Sequence, residues 1–162
     1  SFIPKPFTPF QWEPEDTMES LKAKQKHLLE SIPSKKIKVS YHETPTSLLE
    51  GVLARGDRRL SAVLYSAYKK GCKFDSWDEH FKFDAWMAAF EANNLDPYFY
   101  TQRRRNFSEV LPWDHLDYGI SRKFLERENI KAHENETTPH CRIQCAGCGA
   151  NKLNGGHCDA RG

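Results

Sequence analysis

No apolar run in the chain approaches the roughly 20 residues that a membrane-spanning helix needs, so an integral α-helical membrane protein is excluded and a soluble one expected. An initiator Met, a basic leader and an apolar leader core are also missing at the start, so neither a signal peptide nor a transit peptide is expected. The net charge of +2 is too small an excess to announce a nucleic-acid binder by itself. Cysteine is nearly absent from the first 140 residues, where Cys72 stands alone. A secreted disulfide framework spreads its cysteines to staple distant segments, and that pattern is missing too. The expected compartment is the reducing cytoplasm.

What is there is ordinary globular material. With 162 residues, 38% hydrophobic and 28% charged, the chain is long and apolar enough to build a core. Aromatic residues at 12% supply large side chains to fill it. The opening, Ser1 to Pro6, reads as the end of a strand running into a proline-stiffened loop, as though a structural element were entered midway. Residues 16–32 read as a helix, with Asp16 and Glu19 as a capping pair and Met18, Leu21, Leu28, Leu29 and Ile32 on one face. Residues 36–42 alternate polar and apolar, the pattern of a half-buried strand. Helices are expected from Pro45 to Gly56, from Asp57 to Gly71, from about Trp77 to Asn93, briefly from Leu95 to Tyr100, and from Ser121 to about Glu134. After residue 135 the chain is poor in apolar residues and cannot bury enough surface to fold unaided.

That tail holds Cys141, Cys145, Cys148 and Cys158. Thiolates spaced C-x3-C-x2-C can converge on one centre from a single loop, and Gly147 and Gly149 accept the positive φ needed to aim them. Such ligands hold iron–sulfur clusters or structural zinc, and metal binding would supply the folding energy that the tail lacks. The spacing leans towards a 4Fe-4S cluster; zinc is the alternative, favoured by the Cys145–Cys148 pair. His140 and His157 are substitute ligands.

Several long strings stand out in order: residues 2–12 (FIPKPFTPFQW), 49–60 (LEGVLARGDRRL), 71–77 (GCKFDSW) and 111–119 (LPWDHLDYG). Together they resemble the C-terminal part of the cobalamin-binding-domain-containing radical S-adenosylmethionine proteins, over residues 2 to about 149. The resemblance implies a fold that is mostly α with a small β component. Residues 1–12 would be the last strand and loop of a partial (βα) barrel, 13–134 a mainly helical region, and 135–162 a cysteine-rich metal-binding tail. It also implies that the radical-generating cysteines lie upstream, where an iron–sulfur cluster would cleave S-adenosylmethionine, in a protein whose first domain is of cobalamin-binding type. Cys141, Cys145 and Cys148 would then serve an auxiliary site, with Cys158 displaced from the family spacing. This portion would be catalytically silent alone and would have the upstream domains of the same polypeptide as its partner.

At a barrel mouth, Lys5, Thr8 and Gln11 would border the substrate; the competing reading makes them solvated residues of a proline-rich connector. Arg55, Asp57 and Arg58, with Arg59, read either as an anion clamp or as a capped, solvated helix junction. The run Arg103–Arg105 after Tyr98, Phe99 and Tyr100 offers contacts to RNA, or simply a surface loop. His42, His80 and His115 lie near carboxylates but have no nucleophile beside them, which favours ordinary hydrogen-bonded histidines. Cys72 reads as a small buried residue.

Overall fold

The structure is a computed structural model and describes residues 3–34 and 36–155. Its elements are α1 (Met18–Glu30), α2 (Thr44–Arg55), α3 (Leu60–Lys69), α4 (Phe83–Ala92), α5 (Pro97–Thr101), α6 (Arg122–His133) and a 3-10 turn at Ala150–Asn154. Among the described residues there is no strand, and no helix is long and apolar enough to cross a membrane.

The expected β component and the end of a partial barrel are therefore corrected. Residues 3–12 fold as successive turns, with Gln11 N–H donating to Thr8 O (3.1 Å) and Glu13 N–H to Phe10 O (2.9 Å). Pro4, Pro6 and Pro9 have no amide hydrogen to give a ladder, and Phe7 adopts a positive φ of 61°, which no strand accommodates. The alternating segment 36–42 fails for a different reason. Alternation makes a strand only where a second strand offers its backbone, and none is present among the described residues. Ile37 and Tyr41 accordingly remain about half exposed.

The chain forms two compact units, one of residues 1–4 and 14–104, the other of residues 5–13 and 105–162. In the first, α2 packs on α5 and α1, and α3 packs on α4. Leu48, Leu49, Val52, Leu60, Val63, Ala67, Cys72, Trp86, Ala89, Phe90 and Tyr100 make its core. Pro45 lies in the first turn of α2, as its fixed φ favours, and Gly56 follows the last residue in an extended conformation (φ −78°), where a Cβ would come within 2.7 Å of Val52 O. α1 starts one residue later than a cap at Asp16 would give. Thr17 accepts Ser20 N–H at 3.1 Å, while Asp16 takes Lys24 Nζ at 2.7 Å. α4 begins at Phe83 rather than Trp77, because residues 74–81 close a series of turns, Trp77 N–H to Phe74 O and His80 N–H to Trp77 O.

The second unit is built on α6. Ser121 caps it by accepting Phe124 N–H at 3.3 Å. Its buried face packs Leu125 with Trp12, Leu111 and Trp113. Asn129, fully buried, donates to Pro9 O (2.8 Å) and Glu13 Oε1 (2.9 Å), which ties residues 5–13 to the helix.

Candidate functional site

Within the second unit, Gln11 is a clamp. Its Oε1 accepts the indole N–H of Trp113 at 2.7 Å and the Phe7 amide at 3.0 Å. These bonds hold Phe7 in its left-handed conformation with its ring 4.4 Å from that of Tyr118. A cavity of about 300 Å³ opens beside this arrangement, lined in part by Gln11, Trp113, His115, Tyr118 and Arg122. Burial, with the Asp114 carboxylate adding to it, holds the Tyr118 hydroxyl above the usual phenol range, so it stays protonated. Arg122 gathers the walls, donating to Asp114 Oδ2 (2.6 Å), Glu126 Oε1 (3.0 Å) and Glu109 O (2.9 Å).

The cysteine loop docks on the corner that begins α6. Ser121 N–H donates to Cys148 O at 2.8 Å, and Arg127 donates to Ala146 O. Gly149, at φ 99°, lies so close that a Cβ there would sit 3.1 Å from Gly119 O and 3.3 Å from Ser121 N. A side chain would therefore be strained at this position and crowded as well. The Ala150 amide donates to Cys148 Sγ at 3.5 Å. Cys141 and Cys145 are exposed and Cys148 is half-buried. Cys145 also lines a cavity of about 190 Å³ with Arg127 and Lys131.

The donor chemistry of this loop suits a thiophilic metal. Its geometry is less complete. Among the described residues no group of three or more His, Cys, Asp or Glu side chains is placed to hold a metal ion. Cys158 and His157 lie outside the described residues.

The remaining candidates are dispersed. Lys5 is exposed and its carbonyl accepts the Thr8 hydroxyl at 2.7 Å, so Thr8 closes a local turn; of the three barrel-mouth candidates only Gln11 lines the cavity. Arg55 is fully buried at the end of α2, out of reach of a soluble anion. Arg58 is exposed, and Asp57 is held by Arg59, with Nη2 at 2.6 Å and the Arg59 amide at 2.9 Å on its carboxylate. Asp57 thus has its carboxylate engaged by Arg59, with Arg58 close enough to act on its charge. Arg103 stacks on Phe99 with its guanidinium 4.4 Å from the ring centre, while Arg105 is buried over Trp113 at 5.7 Å. Cys72 is buried, and burial raises its thiol pKa.

The Asp57–Arg59 contact gives a pH prediction. The Arg59 guanidinium holds the Asp57 carboxyl below its usual 3.8. A carboxylate with a depressed folded-state pKa contributes stability that is present above the unfolded value and is lost as pH falls through the folded one. Asp57→Asn should therefore be slightly less stable at neutral pH, and its urea midpoint should fall less steeply than that of the unaltered chain below about pH 3.8. Parallel acid limbs would mean that the pair contributes nothing in solution.

Comparison with known protein families, curated proteins and solved structures finds no match to this chain. Two features of the site carried no local signal. Gln11 and Trp113 are separated by 102 residues, and Arg122 stood in the sequence as one more polar residue of a helix first turn.

Proposed function

We propose that this chain is the C-terminal portion of a radical S-adenosylmethionine iron–sulfur enzyme, in which the cysteine loop holds an auxiliary cluster and the radical-generating machinery lies upstream. The observation that carries the metal-binding part is the docked loop itself: Gly147 and Gly149 at positive φ, and the Ala150 amide on Cys148 Sγ beside two exposed thiols. The family assignment rests on the long strings at residues 2–12, 49–60, 71–77 and 111–119. In this reading the chain covers the substrate side of the upstream domains, has no catalytic activity alone and works in the cytoplasm, where its thiols stay reduced. S-adenosylmethionine, and cobalamin if the first domain binds it, belong to the whole enzyme.

A second reading is favoured by the Cys145-x2-Cys148 spacing, the pairing typical of zinc sites: an independent zinc-stabilised module that binds RNA or protein. Anaerobic purification separates the two. Iron and acid-labile sulfide in stoichiometric amounts, with a visible chromophore, support the cluster; zinc without colour supports the module. In either case Cys145→Ser combined with Cys148→Ser should abolish the bound metal and leave the far-ultraviolet helical signal intact. Unchanged metal content in that double variant would refute the ligand assignment.

A further inference from the structure

α3 divides its residues sharply between two faces. Leu60, Val63 and Ala67 are buried against the first unit's core, while Tyr65 and Tyr68 are 63% and 55% exposed. The exposed face continues past the helix end. Lys69 Nζ lies 5.3 Å from the Tyr65 ring centre and Lys73 Nζ 4.9 Å from that of Tyr68. The next residue, Phe74, is 70% exposed and meets Trp77, itself 56% exposed, edge-on at 6.2 Å. Each exposed tyrosine of α3 thus carries an ammonium group over its ring, and the exposed Phe74–Trp77 pair follows directly in the chain.

Phe74 closes a turn by accepting the Trp77 amide at 3.0 Å, and its ring also lies 6.0 Å from His80. Its φ of 61° is a left-handed conformation that a bulky side chain adopts only under strain, and the ring stays largely exposed. A strained backbone that holds a large ring out in water has the form of a binding device. The charge pattern narrows what it binds. Protein interface cores enrich aromatic rings but exclude lysine. Here lysines stand between the rings, and among the described residues neither Lys69 nor Lys73 forms an ion pair. The nearest carboxylate in sequence, Asp75, is engaged by the Trp86 indole N–H at 3.2 Å. Asp78 and Glu79 follow Trp77 in sequence and are exposed.

We infer that the strip running from Tyr65 and Tyr68 on α3 to Phe74 and Trp77 binds a single-stranded polynucleotide, its bases stacking on the rings and its phosphates paired with Lys69 and Lys73. Ring faces accept any base, so the site is a sequence-tolerant one. The inference does not rest on the radical-enzyme reading: it uses exposed side chains of the first unit, and its test needs no metal.

The test is fluorescence anisotropy on the full chain, with a labelled 12-nucleotide oligo(U), the matching oligo(dT), an RNA duplex of equal length and heparin as competitor. Both single strands should bind, and better than the duplex. Tyr68→Ala should weaken binding by roughly 5- to 100-fold, the range for losing one base stack. Phe74→Gly should weaken it similarly while raising the urea midpoint, because glycine relieves the left-handed strain. Lys69→Gln and Lys73→Gln should each lower the slope of log K against log salt by about 0.7. The inference is overturned if neither single strand binds, if the duplex binds as well, or if the ring variants bind unchanged while heparin competes fully. Should a ring variant fail to fold, the lysine salt slopes decide: unaltered slopes overturn it as well.

Discussion

Trp12→Ala should lower the unfolding free energy by about 3–5 kcal/mol, the usual cost of truncating a large buried ring. Trp12 is fully buried. Its ring meets Phe107 edge-on at 4.8 Å, Arg122 lies over it at 5.8 Å, and its carbonyl accepts the Arg105 amide at 2.8 Å. Among the described residues, the cluster it belongs to buries Leu111, Trp113 and Leu125 beside it, with Phe7, Phe107, Tyr118, Ile120 and Phe124 partly buried around them. Its neighbours are mostly rigid rings, which fill a vacated volume poorly, so the cavity term adds to the transfer cost. For a domain whose total stability is typically about 5–15 kcal/mol, that is a severe loss. Urea denaturation of the full chain checks it, with Trp77→Ala as the control: Trp77 is 56% exposed, and its truncation should move stability by no more than about 0.5 kcal/mol. Equal midpoints for the two variants would mean that Trp12 does not anchor the unit.

The contrast between these two tryptophans shows what could be read along the chain and what could not. Helix ends marked by local chemistry were legible. Pro45 and Gly56 bracket α2, Ser121 caps α6, and Gly71 and Asn94 take the positive φ expected of residues that close helices. Punctuation is local, so it survives without knowledge of the fold. The alternation at residues 36–42 and the proline-rich opening misled because strand identity is not local; it depends on a neighbouring strand, and the described residues supply none. The candidate site divided along the same line. The cysteine spacing was visible, and its glycines adopt the conformations the spacing called for. Its anchoring through Ser121 and Arg127, and the Gln11 clamp on Trp113, join residues far apart in sequence and leave no periodic trace. Exposure was illegible too. The pattern that marks Phe83 and Phe90 as core-facing is the same aromatic enrichment that puts Tyr65 and Phe74 in solvent.

Phe90→Ala should match the first prediction in size, about 3–5 kcal/mol, in the other unit. Phe90 is 2% exposed on α4 and sits in the core with Val63 and Ala67 of α3. Its carbonyl accepts the Leu95 amide at 3.1 Å, closing the turn that Asn94 makes possible at φ 51°. Phe90→Leu keeps most of the volume and should recover most of the loss, because the cavity term shrinks with the atoms removed. The pair of variants also separates the two faces of α3. Phe90 belongs to the buried core and the binding rings are exposed, so at a temperature well below the lowered midpoint Phe90→Ala should bind oligo(U) as the unaltered chain does. Tyr68→Ala should do the reverse, keeping its midpoint and losing affinity. If Phe90→Ala lost affinity while still folded, the ring strip would depend on the packing of α3 against α4, and binding would then report the integrity of the core.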